Sequence, residues 1–429
     1  HELVHLHFGH AGIEIGTELW KQYALEHKIA ENGSSKGDQN NGTHKLFVES
    51  KSNGKSQWTP RSSFIDTDYF PKALSSSNNF YNQSYNHIFK RSTGGNFGEG
   101  IITYSDESLD KIRRLLETCD SADSIIITHS IGGGTGSGVG GNMYEKIRRE
   151  FDVPTHAHSV MPSTKFSSSV VEPLNSVLCL MHFDKVEAMT MYQNEAMYDV
   201  CTSHFGVQNP SLKEINQLMA LMISSYSWTV RNDKSNNLSK YSTLINTLNP
   251  LPSLKITVPF LHCLNDKSNP KKSLEESFLN PKNGLVDLSF ISSEKHRMLS
   301  AVNFYRGDFK MRNIARSTIS VLNNPSIRFS EGISNNLNNF VDKSEWKING
   351  SFSKHKRVVS SLVSTNVISH IMDENFKNFQ KLFGYRSFFY HYLGASMSTG
   401  WVTENYTYYQ QLYKLYHQYG HDYHLSNSK

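Results

Sequence analysis

The chain of 429 residues is poor in several features that mark common protein classes. Its 4 cysteines have no paired spacing, which argues against a disulfide scaffold and against a cysteine-based zinc site. It contains no run of roughly 18 apolar residues, so we expect no membrane insertion. The net charge is only +5 and the basic residues do not cluster, so we expect no nucleic-acid partner.

The composition is that of a folded protein with sizeable cores. Hydrophobic residues make up 37% of the chain and aromatic residues 12%. The first two hundred residues alternate strand-like and helix-like segments, which is typical of an α/β fold with a parallel, doubly wound sheet. Predicted strands include 3–8, 63–66, 124–130 and 153–160, and predicted helices include 13–27, 107–117, 139–150 and 172–183.

The second half of the chain has a different pattern. Residues 211–230 carry apolar side chains at a 3.6-residue period, which predicts a central packing helix. Beyond about residue 231, asparagine and serine increase, and segments 299–305 and 346–349 indicate a mixed sheet. The stretch from about residue 381 carries tyrosines at helical spacing, and we interpret this stripe as a packed helix rather than a ligand site.

The most informative segment is residues 132–138, which read Gly-Gly-Gly-Thr-Gly-Ser-Gly between a β-branched strand and a helix. Such glycines let backbone N–H groups surround an anion, and the helix N-terminus adds its positive dipole. Thr135 and Ser137 add hydroxyl donors. The segment has no lysine after it and is therefore not a P-loop. The alternative, a flexible glycine linker, is disfavoured by the preceding strand.

These glycines and their neighbours resemble the tubulin family. The run itself and its flank 128–130 are similar to the family signature, and segments 4–16, 25–27, 59–68, 170–176, 194–199 and 305–308 resemble further family motifs in the same order. The resemblance implies a GTP-binding domain (1–205), a central helix (206–230), an intermediate domain (231–375) and a C-terminal helical region (376–429). It also implies GTP or GDP and Mg²⁺ as ligands.

The resemblance assigns roles to individual positions. The residues expected to contact the nucleotide are Gly9, His10 and Ala11 in the first loop, Asn96 at the terminal phosphate, Ser130, Gly132, Gly133, Gly134, Thr135 and Gly136 in the glycine run, Glu172 at the ribose, and Asn194 and Asn216 at guanine. Asp66 and Asp68 are expected to hold Mg²⁺, which prefers oxygen ligands.

Some positions depart from the family pattern. His10 and Glu14 stand where the family usually has glutamine, and Leu212 stands where it has an aromatic residue. Losing an aromatic stack on the base costs on the order of 1 kcal/mol. We therefore expect nucleotide binding to be retained but weaker or less selective.

In the family, an acidic residue of the next subunit activates the water that hydrolyses GTP. The matching region of this chain is 237–246, and no Asp or Glu occurs between Asp233 and Asp266. We predict that it cannot supply a general base to a neighbour's nucleotide. We expect hydrolysis of its own nucleotide only when a partner subunit supplies the acidic residue.

The resemblance leaves two function classes open, because the chain mixes α-like, β-like and γ-like features. The first is a divergent tubulin that forms a longitudinal heterodimer or filament with other tubulin subunits. It would belong to the cytoplasmic cytoskeleton, in microtubules or a specialised structure such as a centrosome, basal body or cilium. The second is a non-polymerising paralogue that acts as an interaction or nucleation protein with a structurally bound nucleotide.

Overall fold

A computed structural model describes residues 1–35, 41–52, 55–67, 74, 80–89, 91–163, 169–232, 240–249, 251, 253–264, 280–288, 297–324, 329, 337–350, 352–395 and 397–418. The strands of the described chain are β1 (Glu2–Phe8), β2 (Phe47–Ser52), β3 (Lys55–Pro60), β4 (Ser62–Asp66), β5 (His87–Ile88), β6 (Ala122–Ser130), β7 (Thr155–Val160), β8 (Ala188–Tyr192), β9 (Ile256–Leu264), β10 (Met298–Gly307), β11 (Leu337–Asp342) and β12 (Arg357–Thr365).

The α-helices of the described chain are α1 (Gly9–Glu26), α2 (Phe97–Thr103), α3 (Ser105–Leu116), α4 (Gly140–Glu150), α5 (Glu172–Cys179), α6 (Asn194–Phe205), α7 (Leu212–Arg231), α8 (Tyr241–Leu248), α9 (Met311–Leu322), α10 (Ile368–Gly384), α11 (Phe389–Gly394) and α12 (Thr399–Gln418). A π-helical turn, Thr135–Val139, precedes α4. None of the described helices is long and apolar enough to cross a membrane.

Ten strands form one sheet in the order β11-β10-β12-β9-β8-β7-β6-β1-β4-β5. Its pairs from β5 to β9 are parallel, as in a doubly wound sheet. The other end is mixed, because β12 is antiparallel to both β9 and β10 while β10 and β11 are parallel. The structure thus confirms the predicted α/β class. The four-part division of the chain stays a prediction, since the sheet continues from β8 into β9.

Hydrophobic cores cover both faces of the sheet. Along β6, the side chains of Ile125 and Ile127 enter one core, and the side chain of Ile126 between them enters the other. This alternation follows from the two-residue period of a strand, and burial on both faces explains the continuous apolar run. Helix α7 lies in the second core with most of its residues buried, which confirms the predicted central packing helix.

Helix α1 begins earlier than its sequence pattern indicates. Residues 9–12 lie before the predicted helix 13–27, but they form the first turn of α1. Its glycines serve close approach instead: a Cβ on Gly12 would lie 2.3 Å from the carbonyl oxygen of Thr128, and one on Gly16 would lie 2.5 Å from the ring of His7. The absence of Cβ therefore lets α1 pack directly on the sheet.

Residues 346–349 form no strand, so that prediction is wrong. The side-chain amide of Gln22 on α1 donates to the carbonyl of Lys347 and accepts from the N–H of Asn349, at 2.7 and 3.1 Å. These backbone groups are therefore satisfied by a side chain rather than by a neighbouring strand.

A buried ionic network joins the ends of α1 and α7 to β10. The carboxylate of Glu26 forms ion pairs with Arg231 and, at 3.2 Å, with Arg306. Burial alone would raise the pKa of Glu26, but the two guanidinium groups lower it to about 2. The same guanidinium groups lie 4.9 and 4.2 Å from the ring centre of Trp228. Removing one member of such a network leaves a buried charge uncompensated.

The tyrosine stripe near the C-terminus packs as predicted. Tyr409 and Tyr416 on α12 are 1% and 0% exposed. The hydroxyl of Tyr409 donates to the carbonyl of Met372 on α10, and that of Tyr416 accepts from the N–H of Ile256 on β9. The stripe therefore fixes the last described helix to the body of the protein.

Candidate functional site

A cavity of about 790 Å³ lies at the carboxyl ends of four parallel strands. It is lined by Phe8 of β1, Asp66 of β4, Ser130 of β6 and Val160 of β7. Strand β1 pairs with β4 on one side and with β6 on the other, so the chain order reverses here. Such a reversal opens a crevice at the carboxyl ends of the strands, which is the usual ligand position in open α/β sheets.

The cavity brings together almost all of the residues singled out from the sequence. The predicted residues that line it are Gly9, His10, Ala11, Asp66, Ser130, Gly132, Gly133, Gly134, Thr135, Gly136, Glu172, Asn194 and Asn216. Of the other two, Asn96 does not line the cavity, and Asp68 lies outside the described residues. The contacts of these residues with a ligand stay predictions.

At several glycines at the bottom of the cavity there is no room for a Cβ atom. A Cβ on Gly136 would lie 2.4 Å from the carbonyl oxygen of Ser130, and one on Gly134 would lie 2.5 Å from the hydroxyl of Thr93. Gly9 has a φ of +70°, and its Cβ would approach the N–H of Gly136 to 3.0 Å. Gly133, by contrast, has nothing within 4 Å of its Cβ position. The segment is therefore a packed cradle, which excludes the flexible-linker alternative.

A buried histidine supports this cradle from below. The Nδ1 atom of His129 lies 2.7 Å from the carbonyl oxygen of Gly136, and its Nε2 atom lies 2.8 Å from the hydroxyl of Ser159. Because a carbonyl only accepts, Nδ1 carries the proton and Nε2 is the acceptor. Burial lowers the pKa of His129 to about 4, so the ring is neutral near pH 7.

Two polar side chains near the cradle have structural partners. The side-chain oxygen of Asn96 accepts from the N–H of Gly98 at 2.7 Å, which caps α2, and its amide donates to the carbonyl of His391 at 3.0 Å. The hydroxyl of Ser137 is fully buried and donates to the carbonyl of Gly133. The prediction that Ser137 offers a hydroxyl to the ligand is therefore wrong.

Helix α5 places an acidic side chain on one wall of the cavity. Glu172 is the first residue of this helix and is 9% exposed. Its carboxylate accepts from the N–H of Ser169 at 3.2 Å. A carboxylate in this position can accept hydrogen bonds from ligand hydroxyl groups.

The opposite wall is built by the starts of α6 and α7. Ser211 and Glu214 form a reciprocal capping box that fixes the first residue of α7. Leu212 and Asn216 then lie one turn apart on this helix and both line the cavity, with Asn194 of α6. Leu212 is 61% exposed, so its aliphatic side chain is available to cover a ligand.

The cavity also contains a carboxylate suited to a divalent cation. Asp66 is 2% exposed, and its Oδ1 atom accepts from the N–H of Thr67 at 2.7 Å. No group of three or more His, Cys, Asp or Glu side chains among the described residues is arranged to hold a metal alone. The donor set fits Mg²⁺, which binds through one or two carboxylates together with substrate phosphates.

Several lining residues were not assigned from the sequence. They include Ile15, Ser92, Thr93, Gly95, Met161, Pro162, Ser163, Ser169, Lys213, Ile215 and Met219. Thr93 and Gly95 belong to a glycine-containing segment in which only Asn96 was singled out. The two apolar members on α7 follow from helical spacing, since Ile215 and Met219 lie three and seven residues after Leu212.

The fold and the cavity define a doubly wound α/β protein with its site at the switch point of the sheet. Residues 2–202 match the sequence model described as Tubulin/FtsZ family, GTPase domain. The tubulin alpha-2 chain of Schizosaccharomyces pombe is 27% identical over 94% of this chain and 93% of its own length. The tubulin alpha chains of Colletotrichum orbiculare and Pneumocystis carinii are 28% and 26% identical, over 94% and 98% of this chain and 93% and 97% of their own.

Residues 2–202 therefore form a GTPase domain of the Tubulin/FtsZ family, and the similarity to tubulin alpha chains, which covers 94% or more of the chain at 26–28% identity, is that expected of a divergent tubulin. This confirms the resemblance that its glycine run and flanking motifs indicated. A GTPase domain of this family implies a guanine nucleotide as the ligand class.

Proposed function

We propose that the chain is a divergent tubulin subunit that binds GTP or GDP with Mg²⁺ in the 790 Å³ cavity. The observation that carries this proposal is the glycine cradle at the switch point, within the segment that matches the GTPase domain. A volume of roughly 300–1,000 Å³ is usual for small-molecule sites. The side chains in the cavity suit the parts of a nucleotide.

In this proposal the backbone N–H groups of the cradle bind the phosphates, with the start of α1 and the hydroxyl of Thr135 nearby. Glu172 binds the ribose hydroxyls. Asn194 and Asn216 read guanine, because an amide both donates and accepts. Asp66 holds Mg²⁺ together with phosphate oxygens.

A binding titration tests this proposal. We expect the purified chain to bind GTP with Mg²⁺ more tightly than ATP. Gly136→Ala should abolish binding, because its Cβ would lie 2.4 Å from the carbonyl oxygen of Ser130. Gly384→Ala is the matched control, since nothing lies within 4 Å of its Cβ position. Folded chain that binds neither GTP nor GDP would refute the proposal.

We also propose that the chain assembles with other tubulin subunits through longitudinal contacts and belongs to the cytoplasmic cytoskeleton. Similarity to tubulin alpha chains over 94% or more of the chain supports this. Sedimentation with GTP, with and without conventional tubulin, is the test. Incorporation into polymer supports a polymerising subunit. Nucleotide binding without any incorporation favours the non-polymerising paralogue.

We propose further that the chain cannot activate hydrolysis on a neighbour's nucleotide. Residues 240–249, the described part of the segment 237–250, contain no acidic side chain. The acidic group at the start of α8 is Asp123, which is 7% exposed and accepts from the N–H of Tyr241 and from the N–H and hydroxyl of Ser242. These bonds leave it as a helix cap. Fast turnover in a mixed-subunit assay that depends on residues 237–250 would contradict this.

A further inference from the structure

The side chain of Asn175 lies behind the wall of the cavity and is fully buried. It belongs to α5, one turn after Glu172. Its amide nitrogen donates to the carbonyls of Gly95 and Gly132, both at 2.8 Å. Its amide oxygen accepts from the N–H of Phe97 at 3.1 Å and from the hydroxyl of Tyr392 at 2.7 Å.

These bonds join two loops that contact each other beside the cavity. Gly95 and Gly132 both line the cavity but lie on separate loops, before α2 and after β6. The loops are in close contact, since a Cβ on Gly134 would lie 2.7 Å from the N–H of Asn96. With both amide donors used on these loops, Asn175 fixes the distance between them.

We propose that Asn175 is a positioning residue that preorganises the phosphate-binding loops and couples them to α11. The inference rests on the proposed nucleotide site, because the loops that it joins form the phosphate end of that site. A cradle held in its binding-competent geometry binds more tightly than one that must first be ordered.

The coupling to α11 runs through two hydrogen bonds. The buried hydroxyl of Tyr392 donates to Asn175, and the carbonyl of His391 accepts from the side chain of Asn96. The outer side of this segment carries apolar side chains, since Tyr390 is 67% and Leu393 is 42% exposed. Ordering of the loops by nucleotide therefore orders α11, and by reciprocity a partner that holds α11 strengthens nucleotide binding.

Only an amide satisfies this position. An aspartate has the same shape but accepts only, so both carbonyls would face a carboxylate oxygen and the loops would repel it. Asn175→Asp therefore tests positioning without a large change in volume. The matched control is Asn303→Asp on β10, a fully buried asparagine that bonds to Asn339 and Ser361 and does not line the cavity.

Titration of GTP into the full chain measures the first effect. We expect Asn175→Asp to weaken binding by at least about tenfold, since it breaks two bonds of buried carbonyls. Folded Asn303→Asp should bind as wild type does. Folded Asn175→Asp with wild-type affinity would overturn the inference and leave the nucleotide proposal intact. A wild-type chain that binds no nucleotide would overturn both.

Hydrogen exchange in residues 389–394 measures the coupling and does not depend on Asn175→Asp folding. We expect GTP to slow exchange in this segment of the wild-type chain, and Tyr392→Phe to reduce that slowing. Tyr409→Phe is the control, because it removes a similar buried bond to the carbonyl of Met372. Equal slowing in wild type and Tyr392→Phe, or no slowing in wild type, would overturn the coupling to α11.

Discussion

Buried histidines should make the fold sensitive to mild acid. His7, His129 and His156 are all 0% exposed. Burial lowers their pKa values from an ordinary 6.5 to about 3, 4 and 3. Each ring is neutral in the folded protein, and the hydrogen bonds that His7 and His129 accept at Nε2 depend on that neutral form.

The lowered pKa values of the buried histidines make the folded protein less stable as the pH falls. The unfolded chain takes up protons as the pH falls through about 6.5, whereas the folded chain does not until about pH 4. Stability is therefore complete above about pH 6.5 and is lost progressively below it. At pH 5 each histidine costs about 2 kcal/mol relative to pH 8, and the three together cost about 6 kcal/mol. That is comparable to the total stability of many proteins, roughly 5–15 kcal/mol.

Urea unfolding at pH 8, 6 and 5 measures this loss. Below about pH 4.5 the carboxylates also contribute, because the lowered pKa of Glu26, about 2, adds a further loss of stability there. His156→Gln should be less stable at pH 8 but should lose about 2 kcal/mol less on going to pH 5. His417→Gln, at an exposed position, should keep the full dependence. A midpoint that does not change between pH 8 and 5, or an unchanged dependence in His156→Gln, would refute the reasoning.

Three further outcomes are expected. Neither ring nitrogen of buried His5 has a hydrogen-bond partner within the described chain, so His5→Phe should stabilise by about 1 kcal/mol. His7 bonds to Thr128 and Trp20, so His7→Phe should destabilise the protein. Urea unfolding midpoints at pH 8 compare the two variants with wild type, and a midpoint of His5→Phe below that of wild type would contradict the expected stabilisation. Leu212→Tyr should tighten GTP binding by about fivefold through stacking, and unchanged affinity by titration would argue against the base lying there. Asp66→Asn should remove most of the Mg²⁺ dependence of GTP binding, which we expect to be about tenfold. Titrations with and without a chelator measure this dependence, and a variant that keeps the wild-type dependence would exclude Asp66 as a ligand.

The sequence predicted most of the candidate site because its signals are local. The glycine run follows a β-branched strand, and both the cradle and the strand lie where the pattern indicated. Positions taken from the family resemblance, such as Glu172 and Asn216, line the same cavity. Asn175 was not found, because an asparagine whose side chain bonds to three distant backbone groups and one distant hydroxyl has no local signature.

The wrong predictions share a physical cause. The first turn of α1 lies outside the predicted helix 13–27, but it is helical and its Gly12 allows the helix to pack against β6. Residues 346–349 alternate like a strand, but their backbone groups bond to Gln22 more than three hundred residues earlier. In both cases a contact distant in sequence overrides the local preference.

Periodicity and glycine spacing alone determined the α/β class, the central helix and the phosphate-type cradle, since these depend on neighbours within a few residues. The tertiary structure alone decided which side chains face the cavity and which are used to hold it. Asn96 and Ser137 are polar residues beside the cradle, yet their groups bond to protein atoms. Whether a polar side chain faces the ligand or bonds to the protein is decided only when four strand ends and two helix starts come together. Hydrogen bonds between distant segments form only when the chain has folded.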